Sequence, residues 1–148
     1  ILSYNFGAGN GVRVRRTFRL AMMTAVVLGL AFFGVTALFS HQVVAMFIDS
    51  AYPAYDIAVR GLPLFASGFV FFAVNIVAIS YFQSVERART AMLVTVLRGF
   101  VFMVACFFGL PLLLGVEGIW LAVPLTEVLT FGVVMAIYSC GRHLALAR

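Results

Sequence analysis

The chain is 148 residues long, 64% apolar and only 10% charged, with a formal net charge of +5. An ordinary soluble domain carries about a quarter charged residues, so this composition excludes a water-soluble fold. All 10 basic residues are Arg, and they cluster in alternate gaps between apolar stretches, which points to a bilayer surface and away from nucleic acid.

In chain order, the sequence opens within an apolar phrase, Ile1-Leu2-Ser3-Tyr4, which reads as the tail of a preceding helix. The chain is therefore expected to be the C-terminal part of a longer protein, and its start shows no secretory signal pattern. The phrase Ser3-Tyr4-Asn5-Phe6-Gly7-Ala8-Gly9-Asn10 follows. Its glycines can end that helix because they take positive φ cheaply, and Asn10 can cap the next one.

Four stretches, 20–40, 61–85, 90–112 and 118–140, then supply the roughly 20 apolar residues that a membrane-spanning helix needs. Arg13, Arg15, Arg16 and Arg19 precede the first, Arg87 and Arg89 lie between the second and third, and Arg142 and Arg148 follow the fourth. The remaining gaps, 41–60 and 113–117, hold Asp49, Asp56, Glu117 and one edge arginine, Arg60. The positive-inside rule then predicts four spans with both ends of the chain in the cytoplasm. Tyr and Trp gather at the span ends, as amphipathic rings do at the headgroup level.

Within the first stretch Ala21, Ala25 and Gly29 recur every fourth position, a small-residue edge that lets helix backbones approach closely. Pro63, Pro111 and Pro124 are expected to bend or end helices, with Pro124 as the kink inside the last span. Cys106 and Cys140 fall toward opposite ends of their spans and are expected to be free thiols.

Three features carry functional weight. Asn75 lies mid-span, with Gly68, Phe71, Phe72, Ile79 and Phe82 on its side of the helix. Its amide either bonds a neighbouring helix, or joins Phe71 and Phe72 in lining an aromatic cavity for lipophilic cations. Arg98 and Glu127 are the charges well inside predicted spans, where ionisable groups are costly and tend to pair. Their depths differ by roughly 10 Å, within reach of two extended side chains. A structural ion pair is the favoured reading, and a gating or proton-linked carboxylate is the alternative. His41 and His143 have no ligand-like spacing to Cys or carboxylate, and no catalytic triad, metal cluster or nucleotide loop can be assembled. The chain is not expected to be an enzyme or to hold a metal or organic cofactor.

The phrase SYNFGAGN, followed by arginines, resembles the loop between the eighth and ninth helices of the multidrug and toxic compound extrusion (MATE) transporters, where a Tyr-Asn-Tyr-Gly-Ala pattern recurs. Tyr4, Asn5, Gly7, Ala8 and Gly9 carry that match. Tyr81-Phe82-Gln83-Ser84 resembles the end of the family's tenth helix. Gly118-Ile119-Trp120-Leu121-Ala122-Val123-Pro124, with Glu127 a turn later, resembles the start of its last. The resemblance implies an all-α integral membrane fold in which residues 1–148 form part of the C-terminal lobe: the end of helix eight and helices nine to twelve of a twelve-helix, two-lobe transporter. It implies efflux of lipophilic or cationic small molecules by alternating access, driven by inward H⁺ or Na⁺ and requiring the N-terminal lobe as partner. The family places coupling carboxylates on its first helix and, in Na⁺-dependent branches, on the seventh and tenth. Residues 61–85 contain no Asp or Glu, which shifts coupling toward the N-terminal lobe.

The sequence thus reads as part of a drug or cation antiporter in a prokaryotic plasma membrane, its partners being the bilayer and a small-molecule substrate. The alternatives are a lipid-linked sugar flippase of the wider superfamily, which would favour a more basic cavity, and a non-transporting four-helix membrane assembly module.

Overall fold

The computed structural model describes residues 1–146, with side chains to Cys140. The side chains of Arg142 and His143, and all of Arg148, lie outside the described residues. Every regular element among the described residues is a helix, with no strand.

A short helix, α1 (Leu2–Gly7), ends at Ala8 and is followed by Gly9 at φ +71°. Asn10 then caps α2 (Gly11–Leu38), its Oδ1 accepting the Arg13 N–H at 3.1 Å. That bond satisfies one of the amide groups a helix start leaves orphaned. The first span therefore begins well before residue 20 and takes its four arginines into its own opening turns. Helix α3 (Ser40–Ala45) follows directly.

The second predicted span is divided between two helices. Helices α4 (Pro53–Ala66) and α5 (Phe69–Ser84) meet at 43° across Ser67 and Gly68. Pro63 cannot donate to the ladder, and the helix closes four residues later with Ser67 bonding back to the Pro63 and Leu64 carbonyls. Pro124 lies inside a single continuous helix, α8 (Val116–Leu146). Pro124 receives the α4–α5 hinge: a Cβ on Gly68 would lie 2.9 Å from the Pro124 Cα.

Helix α5 ends in a Schellman motif in which the Arg87 N–H reaches the Phe82 carbonyl at 2.9 Å and the Glu86 N–H reaches that of Gln83. Glu86 holds the left-handed position at φ +61°, where glycine is usual. The third span runs from Ala88 to Leu114 as α6 (Ala88–Val96), a π-helical segment (Leu97–Phe102) and α7 (Met103–Leu114). A tight turn at Gly115, φ +61°, joins it to α8. Among the described residues, three helices are long and apolar enough to cross a membrane, and the bent α4–α5 pair makes a fourth if it counts as one span.

Packing explains the small-residue edge: Ala25 and Gly29 are buried, and a Cβ on Gly29 would sit 2.7 Å from the Val70 Cα, so α2 and α5 touch backbone to backbone. A core of Ala78, Phe82, Ala91, Val94 and Val134 ties α5, α6 and α8 together. Leu20, Phe32, Phe108 and Leu112 remain exposed, as expected of side chains whose solvent is hydrocarbon. Arg15, Arg87 and Tyr138 meet at one end of the bundle; Arg60, Glu117 and Trp120 meet elsewhere. The alternation of basic and non-basic gaps thus becomes a spatial separation.

Candidate functional site

Glu127 on α8 is 2% exposed and sits at the centre of a three-helix cluster. Arg98, held on the π-helical segment, places Nε 2.8 Å and Nη2 2.7 Å from Glu127 Oε1. Asn75 on α5 is fully buried, and its Nδ2 donates to Glu127 Oε2 at 2.8 Å and to the Glu127 backbone carbonyl at 2.9 Å. Each carboxylate oxygen therefore has a donor, which a buried carboxylate requires. Among the described residues the Asn75 Oδ1 has no hydrogen-bond partner although it is buried.

The two buried-polar features of the sequence turn out to be one. Asn75 bonds a neighbouring helix, and the atom it bonds belongs to the intramembrane carboxylate. The two phenylalanines part company. The Phe72 ring lies under the Arg98 guanidinium, 4.8 Å from centroid to Cζ, and borders a largely apolar groove of about 740 Å³ between α2 and α5. Phe71 packs edge-on against Phe131 at 5.5 Å, as a packing residue. The loop of Tyr4, Asn5, Gly7, Ala8 and Gly9 lies at the arginine-rich end, apart from the cluster. Within it Asn5 bonds the Ile1 carbonyl through Nδ2, and its own carbonyl accepts from Asn10.

Sequence reasoning passed over Thr126 and Thr130, both fully buried beside Glu127, whose hydroxyls bond back to the carbonyls of Ala122 and Thr126 at 2.8 Å. Their spacing with Ala122, four residues each, was the available signal: small or self-satisfied residues on one face mark the side of α8 that other helices cover. The π-helical segment had no sequence signal beyond the unusual Arg98. Such segments widen a helix locally and recur at functional positions.

In comparison with known proteins, the family model described as MatE matches residues 1–111. No curated protein and no solved structure matches.

Proposed function

The chain belongs to the MatE family, whose members are transporters, and from that premise we propose that it is part of a secondary active exporter of lipophilic or cationic small molecules. Alternating access between this lobe and an N-terminal partner lobe, coupled to H⁺ or Na⁺ antiport, would drive export from a prokaryotic cell across the plasma membrane, with both ends of these residues cytoplasmic. One observation carries the substrate class. The Arg98 charge is neutralised by Glu127, and the Phe72 ring beneath it borders a groove whose wall is aromatic and aliphatic, with Phe69 and Ile76 along it. Such a wall suits hydrophobic cations and offers little to the anionic phosphates of a lipid-linked sugar.

The test is efflux by the full-length transporter. Cells expressing it should expel a lipophilic cationic dye, lose that ability when the ion gradients are dissipated, and expel it several-fold more slowly with Phe72→Ala at equal protein level. Gradient-independent retention of the dye, with translocation of a lipid-linked sugar, would transfer the assignment to the flippase reading.

The role we favour for the cluster is mechanical: it clamps α5, the third span and α8 into one body that can rock as a unit. The unpartnered Asn75 Oδ1 supports a second reading. A protonated Glu127 would carry a new O–H donor, and the same amide that offers Nδ2 to the carboxylate has Oδ1 to offer to the acid. Arg98 would then lose its counter-charge, which would make Glu127 a proton-linked latch.

A further inference from the structure

A cavity of about 570 Å³ lies at the arginine-rich end of the bundle, enclosed by the loop before α2, the end of α5, the turn after it, and α8. Four polar side chains line it: Arg15, Arg87, Tyr81 and Tyr138. Among the described residues, neither guanidinium has a carboxylate partner, the one ion pair being that of Arg98 with Glu127. Neither tyrosine hydroxyl makes a hydrogen bond among them either. Glu86, although it adjoins Arg87 in sequence, does not line the cavity. The polar lining is thus rich in donors and contains no acid. Two guanidiniums arriving from separate elements call for a ligand with several acceptor oxygens and a negative charge.

The remainder of the lining is apolar. Val14, Phe82 and Val85 are buried, and Phe82 belongs to the central core. The cavity therefore presents cationic donors on one part of its wall and hydrocarbon on another, where a bundle emerges from the bilayer. We propose that it binds the phosphate group of an anionic amphiphile, in a bilayer an anionic phospholipid. Arg15 and Arg87 hold the phosphate, the Tyr81 and Tyr138 hydroxyls complete its hydrogen bonds, and the adjoining hydrocarbon rests against Val14 and Val85. The site differs from general attraction of basic loops to a membrane: among the described residues Arg15 and Arg87 are the arginines that enter it, while Arg16 and Arg19 stay outside, in an adjoining surface depression that Arg15 and Val12 also border. Occupancy bridges α2, the α5–α6 turn and α8, making the packing of this end dependent on lipid charge.

The experiment uses the purified full-length transporter in neutral detergent, titrated with phosphatidylglycerol, phosphatidylcholine or glycerol phosphate, with retained lipid counted by native mass spectrometry and melting midpoint followed in parallel. Phosphatidylglycerol should be retained and should raise the midpoint, and phosphatidylcholine should do neither. Arg15→Gln with Arg87→Gln should weaken phosphatidylglycerol binding about thirtyfold, from roughly 1 kcal/mol per basic residue. Arg16→Gln with Arg19→Gln removes the same charge outside the cavity and should change binding less than about threefold. Tyr138→Phe keeps the ring, removes one donor and should weaken binding about fivefold, so the test survives if the double variant does not fold. Protection by glycerol phosphate alone, lost in Arg15→Gln with Arg87→Gln, would keep the phosphate site and assign it to soluble esters. Equal losses in the two double variants, or equal retention of phosphatidylcholine, would overturn the proposal.

Discussion

Arg98 directs both Nε and Nη2 at one oxygen of Glu127, which leaves the other oxygen to the Asn75 amide. The ion pair and the buried amide are thus a single unit shared by three helices, and the cost of removing a member depends on which others remain.

Removing one charge strands the other in a low-dielectric bundle. Arg98→Met and Glu127→Met should each destabilise the protein by about 3–5 kcal/mol, and the double variant by much less than the sum. Thermal denaturation in detergent measures the cycle. Additive losses, together with efflux in the full-length protein that loses its pH dependence only when Glu127 is changed to Gln, would overturn the structural reading and favour the proton-linked latch.

Asn75→Leu should cost about 1–3 kcal/mol, because Glu127 Oε2 loses its donor while remaining buried. The same substitution in a Glu127→Met background should cost far less. Equal costs in the two backgrounds would mean that the amide acts elsewhere.

The hinge between α4 and α5 rests on Pro124 with no room for a side chain at Gly68. Gly68→Ala should destabilise by about 1–3 kcal/mol through overpacking against backbone. Gly34→Ala, inside α2 with nothing within 4 Å of the new methyl, should be neutral or stabilising through helix propensity. A harmless Gly68→Ala would show that the hinge and α8 are not in close contact.

Glu86 occupies the left-handed position of a Schellman motif, which a side chain tolerates poorly. Glu86→Gly should raise stability by about 1 kcal/mol, and Glu86→Ala should bring no such gain, since it keeps the Cβ. A larger gain for Ala would point to charge in place of backbone strain.

Orientation is tested by labelling. In a background lacking Cys106 and Cys140, Ala88→Cys should react with an impermeant thiol reagent from the cytoplasm only, and Pro53→Cys from outside only. Reaction of both from the same face would overturn the orientation.

Much of this was legible in the chain itself. Asn10 as a helix cap and Gly9 at positive φ follow from local backbone chemistry, which needs only the neighbouring residues. The close approach of α2 along Ala25 and Gly29 was legible because a small-residue edge has little other use in a helix. The bend was harder to place: Pro63, Pro111 and Pro124 are alike in sequence. A proline frees the carbonyl four residues before it, and whether the helix then breaks depends on what packs nearby. At Ser67 and Gly68 a small hinge meets Pro124, whereas α8 continues through its own proline.

The sequence by itself determined the membrane-spanning character, the separation of basic from non-basic ends, and the presence of two charges and an amide at depth, because each follows from the cost of transferring single groups from water to hydrocarbon. Only the tertiary structure decided that these three groups meet, that Phe72 stacks beneath Arg98 while Phe71 packs against Phe131, and that Arg15 and Arg87 share a cavity. Those outcomes depend on how each helix is rotated about its axis. The bend between α4 and α5 and the π-helical segment around Arg98 shift that rotation by amounts that helical periodicity, read along the chain, does not contain.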